Sequence, residues 1–172
     1  MPIMLSSPTL HSVMRDRVRP LPRLLLGGYT VATLDMLCAM AYWAPHEVPA
    51  SRVLQSISAW FLGPAAFSGG IATAALGAFI YGHLMWGVVA LYHAIARRRP
   101  VLLRRPVICG SIYGAVAYFG IFAGLAPLLT GKPANLGDPA WILTCLVVFM
   151  TLVGIPCALF SRAARSGARA RR

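Results

Sequence analysis

The sequence predicts an all-α integral membrane protein: a four-helix transmembrane bundle with an additional outer interfacial helix. Three observations carry that expectation. Hydrophobic residues make up 58% of the 172-residue chain and charged residues 12%, where a soluble domain has about 25% charged. The apolar residues form long runs, and a bilayer core needs about 20 residues to cross. The basic residues gather between those runs, as they do in proteins oriented by charge.

Taken in order, residues 1–23 read as a basic cytoplasmic leader with Arg15, Arg17, Arg19 and Arg23. The first span is expected at 24–44, an apolar run whose one charge is Asp35, closed by Pro45-His46-Glu47. No Asp, Glu, Lys or Arg occurs from Val53 to Ala96, and the second span is expected at 71–96. Arg97, Arg98, Arg99, Arg104 and Arg105 then precede a third span at 106–129. Lys132 and Asp138 occupy the next loop, the fourth span is expected at 140–161, and residues 162–172 form a basic cytoplasmic tail.

The stretch 53–70 raises the question of a fifth span. If it crossed, the 97–105 loop would lie opposite the N-terminal arginines, against the positive-inside rule. With four spans, the leader, that loop and the tail share one side and hold four, five and five Lys/Arg, while the other side keeps only Arg52 and Lys132. Both termini are therefore expected in the cytoplasm, with anionic lipid headgroups as partners there. Residues 51–62 become an outer interfacial helix. Ser51 is its expected cap after Pro49. Val53, Ile57, Trp60 and Phe61 give its apolar face, Arg52, Gln55 and Ser56 lie mostly off it, and Gly63-Pro64 ends it. Tyr42, Trp43 and Trp141 fall at the expected outer boundary, and Tyr29 and Tyr92 near the inner one. The early arginines, the first apolar run and Ala39-Met40-Ala41 also suggest a signal peptide. The long leader, the length of the run and Asp35 inside it argue for a retained span.

Asp35 is the sharpest chemical signal. A mid-membrane carboxylate costs about 2.5 to 3.5 kcal/mol, and each Leu or Val returns roughly 0.3 to 0.6. Helical spacing puts Gly28, Ala32, Ala39 and Tyr42 on its face, with Leu26, Leu37 and Met40 opposite. Small residues suit close helix contact, so Asp35 is expected to face the bundle. It reads as an ion, proton or substrate site or, equally simply, as a structural hydrogen-bond acceptor. His83 is the natural partner to test. The rise per residue sets Asp35 about 12 Å deep from Trp43, and His83 about 18 Å deep from Ile71. A small-residue stripe of Gly70, Ala74, Gly77 and Ala78 lies nearly opposite His83, so if that stripe packs on the first helix, His83 points elsewhere.

The third span carries Gly110, Gly114 and Gly124 on one face with Ala117, the spacing that lets helix backbones approach in lipid. Pro127 and Pro156 are expected to bend the third and fourth helices. Cys38, Cys109, Cys145 and Cys157 all lie in apolar runs and read as small packing residues. HExxH, GxSxG and P-loop motifs are absent, and four acidic residues offer few actors for acid–base or metal work. Catalytic residues, metal ligands and cofactors are not expected. The high basic charge fits membrane orientation better than nucleic acid, which is not an expected partner.

Pro49-Ala-Ser-Arg52-Val-Leu-Gln55-Ser56-Ile, followed by Gly63, Ala66-Phe67-Ser-Gly69-Gly70 and Thr73-Ala74-Ala-Leu-Gly77, resembles a group of uncharacterised small bacterial inner-membrane proteins with four spans. The resemblance covers residues 24–130. It implies an acidic residue in the first span, matched by Asp35, and a histidine in the second, matched by His83. It draws attention to Arg52, Gln55 and Gly69-Gly70. An Asn that the resemblance implies in the third span is replaced near Phe122. The group brings no activity with it. Two functions fit these features: a non-enzymatic component or accessory subunit assembling by helix packing, as a homo-oligomer or with another membrane protein, and a small transporter or channel-like protein with a polar site at Asp35 and His83.

Overall fold

In lipid every backbone amide must be satisfied within the protein, which leaves helices as the economical solution for apolar runs of this length. A computed structural model describes residues 21–133 and 138–169, and no strand occurs among them. Arg15, Arg17, Arg19, Arg171 and Arg172 lie outside the described residues. Helix α1 spans Leu21–Trp43 and ends in a 3-10 turn, Ala44–His46. Helix α2 spans Ala50–Leu62 and α3 spans Gly70–Arg98. Helix α4 runs Pro106–Phe119, passes through a π-helical stretch Gly120–Leu125, and finishes as Ala126–Thr130. Helix α5 runs Pro139–Val148, then a π stretch Phe149–Gly154, then Ile155–Arg169.

Among the described residues, four segments are long and apolar enough to cross a membrane: Leu24–His46, Gly70–Arg98, Pro106–Thr130 and Pro139–Ala163. The chain is a multi-pass helical membrane protein. The 13 residues of α2 reach only about 20 Å, and α2 folds back on the first turns of α3. Prolines open α4 and α5 at their first positions, where the missing N–H is of no consequence. Asp138 caps α5 by accepting from the Trp141 N–H at 2.9 Å. Each π stretch ends two residues before a proline, Pro127 in α4 and Pro156 in α5. A proline ring clashes with the carbonyl four residues back and donates no hydrogen bond. Widening the preceding turn absorbs both defects.

The helix contacts are close. A Cβ at Gly110 would lie 2.6 Å from the Gly154 carbonyl oxygen, so α4 and α5 touch backbone to backbone. A Cβ at Gly28 would lie 2.6 Å from the Trp86 Cα, fixing α1 against α3. Gly114 meets Phe149 and Met150 in the same manner, and Gly77 meets Leu54 and Ser58 of α2. Phe160 lies against Gly27, and the turn Pro100–Leu103 packs on the last part of α5. The start of α1, the 97–105 loop and the end of α5 thus share one end of the bundle. Tyr42, Trp43, His46 and Trp141 cluster at the opposite end, with the Tyr42 and Trp141 rings 4.6 Å apart.

Several expectations change. Ser51 does not cap α2; Pro49 holds the cap position with no side-chain bond. The buried side of α2 carries Gln55, Ile57 and Ser58, while Phe61 is 58% exposed. Gln55 donates to the Gly70 carbonyl at 2.9 Å, and Ser58 donates to the Thr73 carbonyl. A carbonyl already bonded in a helix keeps a second lone pair, and these donors use it. The small stripe of α3 therefore receives α2 rather than α1. Gly70 and Gly124 are not packing positions, because a Cβ at either meets nothing within 4 Å. Gly70 is needed for its left-handed backbone, φ 60°. Ala74 is buried as the stripe implies, whereas Ala78 is exposed. Met40 packs against the core instead of facing outward. Tyr92 is fully buried, its O–H donating to the Leu102 carbonyl.

Gly154→Val should destabilise the purified protein by about 1–3 kcal/mol through overpacking, read as a lower thermal midpoint in detergent. Gly124→Ala should stay within about 0.5 kcal/mol of the parent. Equal tolerance of both substitutions would contradict the backbone contact between α4 and α5.

Candidate functional site

Helix α1 turns its small-residue face toward α3, and this carries Asp35 inward to 7% exposure. Leu26 and Leu37, on the opposite face, are exposed. Asp35 is the one charged side chain buried among the described residues. Its partner is Tyr81 of α3, 4% exposed, whose O–H donates to the Asp35 carboxyl. Two residues further on, His83 points away from this pair. It is exposed, its Nδ1 lies 2.9 Å from the Phe79 carbonyl oxygen, and its ring meets Tyr29 edge-on at 6.0 Å. Successive helix residues turn by about 100°, so with Tyr81 directed at Asp35, His83 sits at the outer edge of the α1 contact, beside Tyr29. The structure does not bring Asp35 and His83 together.

Asp35 and Tyr81 form the foot of a cavity of about 90 Å³, whose walls include Cys38, Ile57, Trp60, Cys145 and Phe149. Val53, Ser56, Ile57, Trp60, Phe122, Trp141 and Cys145 also line a second space of about 540 Å³. This wider vestibule lies between α2, α4 and the start of α5, toward the aromatic end. Arg52 and Lys132 both line it. The Arg52 guanidinium sits 4.9 Å from the Phe67 ring centroid. Gln55, one of the residues singled out with Arg52, is instead turned into the α2–α3 interface. Phe122, near the implied Asn, faces both spaces.

Toward the basic end the bundle is solid. Val31, one turn from Asp35, and Met85, Val89 and Tyr92, successive turns beyond Tyr81, all have 0% exposure. The site is a closed-ended pocket with a hydrogen-bonded acid at its foot. Among the described residues no three His, Cys, Asp or Glu side chains gather as metal ligands would. Tyr81 is the site residue that sequence reasoning missed. The available signal was a phenol in the middle of a charge-free span, since a buried Tyr O–H usually finds a partner.

Comparison with protein-family models, curated proteins and solved structures finds no match. The class defined by fold and site is a multi-pass helical membrane protein with a pocket inside its bundle.

Tyr81→Phe removes the donor from Asp35 and should cost about 1–3 kcal/mol. Asp35→Asn keeps an acceptor for Tyr81 and should be tolerated better than Asp35→Leu. The Asp35→Leu/Tyr81→Phe double variant should lose less than its two single variants together, because both polar partners go at once. Thermal unfolding of the four proteins closes the cycle; strictly additive losses would contradict the bond.

Proposed function

We propose that the chain is a non-enzymatic binding component of the bacterial inner membrane. Both termini lie in the cytoplasm, and the pocket above Asp35 and Tyr81 opens to the outer side, where it holds a ligand. The observation that carries this reading is the position of Asp35. A buried acid serving only to join helices needs no space beside it, yet Asp35 lines a cavity that shares its walls with the vestibule. The solid packing of Val31, Met85 and Val89 favours retention of a ligand over passage through the chain. The placement of fourteen of the sixteen Lys/Arg in the leader, the 97–105 loop and the tail supports the orientation. The resemblance supports the inner membrane. Asp35 and Tyr81 satisfy one another through their hydrogen bond, which favours binding over catalysis.

Assembly by helix packing loses its original argument, since Gly77, Gly110 and Gly114 are filled by neighbours within one chain. An accessory-subunit reading keeps one observation in its favour. Helix α4 is the least buried of the four spans.

Ser56 is exposed and lines both spaces, so it reports on the pocket directly. Ser56→Cys, in a variant lacking the four native cysteines, should react with an outside-only charged thiol reagent on intact cells. Labelling only after the cytoplasmic side is opened would reverse the orientation. Labelling from neither side would mean that the pocket is sealed.

A further inference from the structure

The vestibule has an unusual charge pattern for its place in the chain. Arg52 and Lys132 are the two Lys/Arg that fall outside the leader, the 97–105 loop and the tail. They are 80 positions apart in sequence, yet both line this one space. Each is positioned by local structure. Arg52 lies over the Phe67 ring, which steadies the guanidinium at the wall of the vestibule. Gly131, at φ 63°, makes the left-handed turn that ends α4 and delivers Lys132 to the rim. The rest of the wall is largely aromatic and apolar, including Trp43, Trp60, Phe122 and Trp141. Among the described residues no carboxylate lines it.

We infer that the vestibule binds an anionic amphiphile, with its phosphate-type headgroup between Arg52 and Lys132 and its apolar chain against the aromatic wall. This rests on the pocket reading above and gives it a ligand class. Three features agree. A volume of about 540 Å³ falls within the roughly 300–1,000 Å³ of small-ligand sites. Two cations without a lining acid select negative charge, and guanidinium and ammonium groups both suit phosphate oxygens. The cations share the aromatic end with Tyr42, Trp43 and Trp141, the level at which a lipid headgroup meets its chains. A free anion would use the two cations and leave the aromatic wall idle, whereas an amphiphile engages both.

Trp43, Trp60 and Trp141 line the vestibule and supply the signal. The full chain, purified in neutral maltoside detergent, is titrated with a bromine-tailed alkyl phosphate and with the same tail on phosphocholine. The alkyl phosphate should quench tryptophan saturably and bind roughly tenfold or more tighter than the zwitterion. Arg52→Gln/Lys132→Gln should abolish that preference with an unchanged thermal midpoint, and Arg52→Lys/Lys132→Arg should restore it. Inorganic phosphate should compete only at far higher concentration. If inorganic phosphate competes as well as the alkyl phosphate, the site takes a free anion and the amphiphile is overturned. If both tailed probes bind alike, or the Gln double variant keeps the preference, the anionic class is overturned while the pocket stands. If neither probe quenches saturably, the pocket reading falls with it.

Discussion

A carboxyl group held in hydrocarbon has to find a donor, because an unsatisfied polar group there costs several kcal/mol. Asp35 meets that requirement through the Tyr81 O–H. The bond ties a residue in the middle of α1 to one in the middle of α3, and so sets the relative height of the two helices. At that height Gly28 lies against the Trp86 backbone and Gly82 against the Tyr29 ring. Side chains at Gly28 would collide with main chain, which cannot move aside. The polar bond and the glycine contact are thus two parts of one register.

Helix α3 is where the bundle is held together. Lipid gives helices no hydrophobic reason to associate, so close packing and a few hydrogen bonds have to suffice. Besides Asp35 of α1, α3 receives Gln55 and Ser58 of α2 near its start. Farther along, the Tyr113 O–H of α4 donates to the Val88 carbonyl at 2.7 Å. Helix α5 joins through Gly154, whose contact with Gly110 leaves no room for a side chain on either helix. The paired π stretches keep α4 and α5 continuous through their prolines, and Phe122 and Phe149, one from each stretch, pack 5.9 Å apart beside the cavity. Accommodating the prolines and shaping the pocket wall fall to the same segments.

The span count, the short α2 and the inward face of Asp35 were legible because they rest on local signals: run length, charge spacing and a 3.6-residue period. Gly110 and Gly114 were legible as packing positions for the same reason. Partner identity was not. Depth arithmetic placed His83 near the level of Asp35, yet it could not say which side of α3 faced α1. The stripe at Ala74 and Gly77 receives α2, a helix that apolar length alone does not reveal as a bundle member. Gln55 lay mostly off the apolar face by helical spacing, but its value lies in reaching the Gly70 carbonyl and the Thr73 hydroxyl of α3. Gly70 and Gly124 share spacing with true packing glycines and differ from them only in what surrounds them. The vestibule unites α2, α4 and the start of α5, and no sequence period reports such a meeting.

The acid–phenol pair at the foot of the pocket is the point on which register, cavity and ligand reading all converge. Infrared spectroscopy of the full chain in lipid vesicles, with carbon-13 in the aspartate carboxyls, observes it directly. The band lost in Asp35→Asn identifies Asp35 against Asp16 and Asp138. That band should shift in Tyr81→Phe, as a carboxyl losing its hydrogen-bond donor must, and stay in place in a control such as His83→Gln. A band that ignores Tyr81→Phe but moves with His83→Gln would contradict the pair and return the site to the histidine.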